Sequence, residues 1–238
     1  MSTIAPASSN QPLPAAVADL LQLNEGLVGA STGYMKEHRG DWSALVEGAL
    51  ELSTGAVELS ALSIEELPTL LDYLSDGPAL PFDYVAVHAP AKGGRGQLHR
   101  AASLLGRLPQ QVVSVVTHPE AINEHASSMR ALGSRLVLEN MNLQKRSGRT
   151  AAHLAPYFTA LPRARFCLDI AHAYQCDSTL ALADVLLDAH AHRLAQVHLS
   201  SIRPDGIHVP LTEPDAATFR PILERCVGVP WILEAPLR

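Results

Sequence analysis

The sequence has few cysteines, fewer cationic than anionic residues and no long apolar run. Each of these shortages excludes or disfavours some classes of protein. Its three cysteines, Cys167, Cys176 and Cys226, form no C-x-x-C pair, which favours a reducing cytoplasm. A net charge of −6 provides no general attraction to nucleic acid or to anionic membranes. No segment is apolar for long enough to span a bilayer, and no signal peptide is recognised at the start. We therefore expect a cytoplasmic protein that binds neither nucleic acid nor membrane.

The length and the composition are those of one globular domain. With 238 residues, of which 47% are apolar and 18% charged, the chain can bury a large core. This length is close to the roughly 250 residues that are typical of a (β/α)8 barrel. Residues 1–12 are polar and rich in proline and serine, so we predict a disordered N-terminal tail there. Residues 13–238 contain no linker-like break and are predicted to form a single domain.

One pattern recurs along the chain, namely a short apolar strand with a His, Glu or Asp among its last residues. The apolar parts are continuous rather than alternating, as in parallel strands that are covered on both faces. One further apolar strand, GLVGAS (26–31), precedes the others. The segments that show the pattern are VELSAL (57–62), YVAVHAP (84–90), VVSVVTHPE (112–120), RLVLENMN (135–142), FCLDIAHAY (166–174), AQVHLSSI (195–202) and WILEAPL (231–237).

Helical periodicity fills the intervals between these strands, for example from Trp42 to Leu50. Strands that alternate with helices imply right-handed βαβ units, which build either an open doubly wound sheet or a closed barrel. Ligand-type residues at the ends of most strands favour the barrel, because an open sheet gathers its site at one switch point. We therefore predict an α/β fold of the compact (β/α)8 TIM-barrel type.

The last helix of such a barrel is missing, because the sequence ends at Arg238 directly after the eighth strand. Residues 13–22, before the first strand, carry apolar residues at helical spacing. The first and eighth strands are neighbours in a closed barrel, so this N-terminal helix is expected to lie in the vacant place. If it lies elsewhere, an apolar strip is exposed and a homo-oligomer is favoured.

The order of the strand-end motifs resembles that of xylose-isomerase-like TIM barrels, the superfamily of sugar isomerases, ketose 3-epimerases and endonuclease IV. The resemblance covers nearly all of the chain from the first strand onward, and it depends on the whole series of motifs. It implies a divalent metal cofactor (Mn, Mg, Co or Zn), which carboxylates and imidazoles suit as ligands. By position, the ligands of the epimerases' single metal correspond to Glu139, Asp169, His198 and Glu234.

The remaining histidines at strand ends resemble the additional metal ligands of endonuclease IV. His88 and His118 correspond to ligands of a second metal, and His172 and His208 to ligands of a third. The family carries an Asp two residues before the last of these histidines, whereas this chain has Gly206 there, so the third site is expected to be incomplete. His88 and His118 have an alternative interpretation as neutral donors that orient a carboxylate or the substrate.

Three cations are candidates for binding the substrate. Lys92 and Arg95 lie among glycines after the third strand, where they could cradle an anionic group or form a solvated loop. Arg203 follows His198 by five residues, close to the position at which the epimerases place a substrate-binding arginine. Glu58 on the second strand either faces the barrel mouth or pairs with a neighbour, and the sequence does not decide between these.

The resemblance implies a metal-dependent isomerase or epimerase that moves a proton on a sugar or sugar-like hydroxy-carbonyl substrate. Glu139 and Glu234 would then be the catalytic pair on opposite faces of this small molecule. One alternative is a metal-dependent phosphodiester hydrolase like endonuclease IV, which explains the extra histidines better but the acidic net charge worse. A barrel that binds metal or ligand without turnover is a further alternative.

Overall fold

The computed structural model of the protein describes residues 12–77, 79–90, 95–122 and 126–238, without the side chains of residues 95 and 98. Eight parallel strands close into a barrel in which each strand pairs with its neighbours in chain order, and the last strand pairs with the first. These strands are β1 (Val28–Ser31), β2 (Ala56–Ser60), β3 (Tyr84–His88), β4 (Ser114–Thr117), β5 (Leu136–Glu139), β6 (Arg165–Asp169), β7 (Leu194–Leu199) and β10 (Trp231–Leu233). The predicted (β/α)8 TIM barrel is therefore confirmed.

Helices occupy the outside of the barrel between the strands. Several begin where the sequence offers a capping side chain: Asp41, Thr150 and Thr212 each accept a hydrogen bond from a backbone N–H of the following first turn. The helices are α1 (Ala15–Gln22), α2 (Trp42–Leu50), α3 (Glu66–Asp76), α4 (Arg95–Leu105), α5 (Ala126–Met129), α6 (Ala151–Ala160), α7 (Ile170–Cys176), α8 (Ala181–His190) and α9 (Glu213–Glu224).

Helix α1, which precedes β1, lies beside the first and last strands of the barrel, as predicted. Val17 and Leu20 on α1 are buried in the main hydrophobic core, and the helix packs against α9. Leu13 and Leu21 line the same surface cleft as Leu237, which follows β10. The chain therefore covers the strip between its first and last barrel strands with its own helix. No helix in the described ranges has the length and apolarity to cross a membrane.

An antiparallel hairpin follows β7 and was not predicted from the sequence. Its strands are β8 (Ser201–Ile202) and β9 (His208–Val209). The turn between them contains Gly206 at a φ of +83°, a backbone conformation that glycine adopts without the penalty of a Cβ atom. The hairpin brings His208 back to the carboxyl ends of the barrel strands, where it lines the same cavity as Glu234.

Candidate metal centre

The carboxyl ends of the parallel strands bring the predicted metal ligands to one mouth of the barrel. Glu139 ends β5, Asp169 ends β6, His198 lies near the end of β7, and Glu234 follows β10. The strand register places Asp169 beside His198, and His198 beside Ile232, which lies two residues before Glu234. Glu139, Asp169 and His198 are fully buried, whereas the side chain of Glu234 is 16% exposed.

The ligand atoms of three of these residues lie close enough to share one cation, and Glu234 lies beside one of the three, His198. Atoms of Glu139, Asp169 and His198 lie within 4.8 Å of one another. Nδ1 of His198 lies 3.3 Å from Oε1 of Glu234 and 3.8 Å from Oε2 of Glu139. Three buried atoms of the group, Asp169 Oδ2, His198 Nδ1 and Glu234 Oε2, have no hydrogen-bond partner among the described residues. Because such burial is costly, these atoms without partners suit the ligands of a divalent ion at this end of the barrel.

The charges of the site also fit a cation. Among the described residues, the ion-pair partners of Glu139, Asp169 and Glu234 are all histidines. Burial raises the pKa of Glu234 well above its ordinary value, and the charges of Asp169, Glu139 and Glu58 raise it further. Burial also acts to raise the pKa of Glu139, but the charge of His118 and hydrogen bonds from neighbouring histidines hold it well below its ordinary value. A divalent ion would relieve this crowding of carboxylates.

His88 and His118 converge on Glu139 from the neighbouring strands. Nε2 of His88 lies 3.1 Å, and Nε2 of His118 3.5 Å, from Oε2 of Glu139. Nδ1 of His88 lies 3.0 Å from the carbonyl oxygen of Ala89, and a bond there places the proton of a neutral ring on Nδ1. The lone pair of Nε2 would then face a carboxylate, so either a shared cation or a protonated ring is required. The structure thus brings these two histidines to Glu139, and the choice between metal ligand and orienting donor remains a prediction.

His172 and His208 form a third group with Asp169. Nδ1 of His172 lies 3.1 Å from Oε1 of Glu139 and 3.2 Å from Oδ2 of Asp169. Burial acts to lower the pKa of His172, but the carboxylates of Asp169 and Glu139 raise it to about 9. Nδ1 of His208 lies 2.7 Å from the Ser200 hydroxyl, and its ring lies 5.0 Å from that of His172.

Among the described residues, Asp169 is the carboxylate grouped with His172 and His208, and position 206 is a glycine. A Cβ atom on Gly206 would lie 3.1 Å from Oε1 of Gln144 and 3.3 Å from Nδ2 of Asn142, so a side chain here would require these neighbours to shift by a few tenths of an ångström. Asp205 forms an ion pair with Arg203 instead. The completeness of this third site therefore stays a prediction.

The predicted substrate-binding cations are not seen in the site. Lys92 lies outside the described residues, and so does the side chain of Arg95, whose backbone begins α4. Arg203 has a side chain that is 51% exposed, pairs with Asp205 and does not line the cavity at the barrel mouth. Their roles in substrate binding therefore stay predictions.

A cavity of about 460 Å³ opens above the centre, a volume typical of small-molecule sites. Glu139, Glu234 and all four additional histidines line it. The other polar residues that line this cavity were not predicted from the sequence, because single polar residues at strand ends and in the loops that follow carry no distinct signal. Those that the structure adds are Ser31, Tyr34, Lys36, Ser60, Asn142 and Lys145.

The structure decides the environment of Glu58, which pairs with a neighbour beneath the mouth. Its Oε2 lies 2.9 Å from Nε2 of His198 and accepts a hydrogen bond of 2.8 Å from Nε2 of Gln196. Burial acts to raise the pKa of Glu58, but the charge and hydrogen bond of His198 outweigh it and lower the pKa. Cys167 lies close by, and burial raises its pKa to about 12, so its thiol remains protonated at neutral pH.

The fold and this site define a (β/α)8 TIM barrel with a candidate metal centre at its carboxyl-terminal mouth. No family model and no curated protein matches the chain. Among solved structures, it is similar to a D-psicose 3-epimerase in the presence of D-fructose, at 15% identity and a TM-score of 0.50, over 87% of this chain and 81% of that one. It is also similar to the probable 3-DHS dehydratase AsbF of Bacillus anthracis, at 12% identity and a TM-score of 0.56, over 88% and 92%. At these identities the similarity concerns the fold.

Proposed function

We propose that the protein is a divalent-metal-dependent isomerase or epimerase that moves a proton on a sugar or sugar-like hydroxy-carbonyl substrate. The observation that carries this proposal is the position of Glu139 and Glu234, whose carboxylates lie 3.8 Å and 3.3 Å from Nδ1 of His198 and line one cavity of small-molecule size. Two carboxylates facing a common space are suited to proton transfer at one carbon.

The residues that would hold the metal are Glu139, Asp169, His198 and Glu234. The three buried atoms without hydrogen-bond partners support this assignment, as does the mixed carboxylate and imidazole chemistry. A bound divalent ion would supply Lewis-acid polarisation of the substrate carbonyl, which makes the neighbouring C–H more acidic. Mn, Mg, Co and Zn are all compatible with these ligands.

The side chains that line the cavity would then have two functions, proton transfer and substrate binding. The carboxylate of Glu139 or of Glu234 removes the proton from carbon, and the opposite carboxylate returns one to the other face in an epimerisation. Hydroxyl and ammonium groups such as Ser60 and Lys36 line the wall of the cavity and would bind substrate oxygens. A neighbour of this fold is named as a sugar epimerase and another as a probable dehydratase, which supports an enzyme acting on small molecules.

One observation favours phosphodiester hydrolysis as a second candidate. His88 and His118 both lie within 3.5 Å of Glu139, an arrangement that suits a second metal ion. The cavity volume and the net charge of −6 favour a small substrate over DNA. A protein that binds DNA needs cationic side chains to neutralise the phosphates, and this chain has an excess of anionic ones. We therefore rank hydrolysis second, and we place the protein in the cytoplasm because its cysteines are free.

Metal counting combined with two activity assays tests the proposal. Purified protein reconstituted with each candidate metal is expected to bind one ion per chain and to exchange a substrate C–H for deuterium in a panel of ketoses in D₂O. Chelation should abolish this exchange. Two or three ions per chain, with metal-dependent cleavage of abasic DNA and no exchange, would establish the hydrolase instead. Tight metal binding with neither activity on either panel would favour the barrel without turnover.

A further inference from the structure

Buried hydrogen bonds connect the opposite end of the barrel to His198. At the lower end, Nη2 of Arg165 donates to the Ser114 hydroxyl over 2.6 Å. The Tyr84 hydroxyl lies 2.6 Å from Ser114 Oγ and 2.7 Å from Oε1 of Gln196. Barrel interiors of this fold are dominated by branched apolar side chains. A series of hydrogen-bonded polar side chains through the centre of the barrel is therefore unusual and indicates a specific role.

The directions of these bonds follow from the donors and acceptors. The Tyr84 hydroxyl has one hydrogen and two neighbours, and because Oε1 of Gln196 can only accept, this hydrogen goes to Gln196. The serine hydrogen then completes the contact between Ser114 and Tyr84. With its oxygen occupied, the amide of Gln196 must present Nε2 on its other side, where it donates to Oε2 of Glu58.

The same logic fixes which nitrogen of His198 carries a hydrogen. Nε2 of His198 lies 2.9 Å from Oε2 of Glu58 and 2.9 Å from Nε2 of Gln196. Because an ionised carboxylate oxygen can only accept, Oε2 of Glu58 is satisfied when Nε2 of Gln196 and Nε2 of His198 both donate to it. Nδ1 of His198 is thereby left with its lone pair toward Glu139 and Glu234, and it has no hydrogen-bond partner in the described part of the chain.

We propose that Glu58 is a positioning residue that directs Nδ1 of His198 toward the cation, with Gln196 and Tyr84 holding the carboxylate in place. This inference rests on the metal site of the proposed function. It gives a positioning role to residues that do not touch the ion or the substrate. Glu58, Gln196 and His198 are each 0% exposed, so water cannot substitute for a lost partner. Carboxylate partners of ligating histidines commonly change metal affinity by about 10–100-fold.

Cobalt titration of the purified protein tests the role of Glu58. Glu58→Gln keeps the shape of the side chain but removes its charge, and it is expected to weaken Co²⁺ binding by about 10–100-fold. Tyr84→Phe frees the amide of Gln196 to turn and is expected to weaken binding by a smaller factor. Glu224→Gln, which removes a surface carboxylate paired with Arg220, is the matched control and should bind Co²⁺ as the wild type does. The urea midpoint of each metal-free variant shows whether it folds.

Nitrogen NMR of the zinc-loaded protein provides a second readout. With ¹⁵N-labelled histidine, and with the His198 signals identified by their loss in His198→Gln, we expect Nδ1 to bind zinc and Nε2 to carry a hydrogen. Coordination through Nε2 would overturn the proposal, as would wild-type Co²⁺ affinity in folded Glu58→Gln. If Glu58→Gln does not fold, unchanged affinity in Tyr84→Phe overturns it.

The two proposals can fail separately. Wild-type affinity in folded Glu58→Gln, together with metal-dependent exchange on ketoses, removes the positioning role and keeps the proposed function. The expected cobalt and zinc results without exchange on any ketose remove the proposed function and keep the positioning role. A wild-type protein that binds neither Co²⁺ nor Zn²⁺ contradicts both.

Discussion

Asp169 accepts a hydrogen bond of 2.7 Å from the backbone N–H of His172, because Asp169 is both the last residue of β6 and the N-cap of α7. The cap uses Oδ1, so Oδ2 is left facing the centre without a hydrogen-bond partner. One carboxylate thus has a structural oxygen and an oxygen that is free for a metal. These two duties can be separated by mutation.

Asp169→Asn should keep the cap and lose the ligand. Asparagine caps helices about as well as aspartate, but its NH₂ group would replace the oxygen that faces the metal. We expect divalent-metal affinity to fall at least about tenfold, with little change in the urea midpoint of the metal-free protein. Asp41→Asn, at the N-cap of α2, is the matched control and should change neither quantity. Wild-type metal affinity in Asp169→Asn would remove Asp169 from the ligand set.

We expect protonation of His190 to lower the free energy of unfolding at acidic pH. It ends α8 with its ring 4.7 Å from that of Phe158 and 5.6 Å from that of Phe166, and burial, followed by the charges of His192 and Arg193, lowers its pKa. A lowered pKa means that the unfolded state takes up a proton first as the pH falls below about 6.5. The contribution of His190 to the free energy of unfolding is therefore complete above that pH and decreases as the pH falls toward the folded-state pKa.

Urea unfolding at pH 7.5 and pH 5 measures this effect. His190→Leu should lose less stability between the two pH values than the wild type, because it has no ring to protonate. His38→Gln, at an exposed histidine, should behave as the wild type does. Identical losses in His190→Leu and the wild type would contradict the assignment.

The strands were predictable because each is a short apolar run bounded by polar residues. The convergence of the candidate metal ligands was predictable because they stand at strand ends. The β8–β9 hairpin was not predictable, since strands of two residues have no periodicity to detect. The role of Glu58 was also hidden. Its partner His198 lies 140 positions further along the chain, and only the closed barrel shows that the two side chains meet. Gln196 was missed for the same reason.

Glu139→Gln and Glu234→Gln test the proton-transfer pair. Each removes a carboxylate that serves both as metal ligand and as acid or base, and general acid–base groups contribute about 10²–10⁴-fold to rates. We expect each variant to lose at least about 100-fold in deuterium exchange, measured at metal concentrations that saturate the variant. Glu224→Gln removes a surface carboxylate paired with Arg220, away from the cavity, and should retain exchange. Undiminished exchange in either metal-saturated variant would exclude that glutamate as the base.

His88→Ala and His118→Ala distinguish the two candidate chemistries. If the protein acts on sugars, both histidines orient Glu139 or the substrate, so each variant should weaken exchange and keep one metal ion per chain. If the protein is a phosphodiesterase, each variant should instead lose a second ion together with all hydrolysis. Metal analysis of wild type and variants, loaded in parallel, separates these outcomes. Because position 206 is a glycine and not a carboxylate, we expect one ion per chain in the wild type and in both variants. Because the chain has a net negative charge, we expect no salt-sensitive cleavage of abasic DNA.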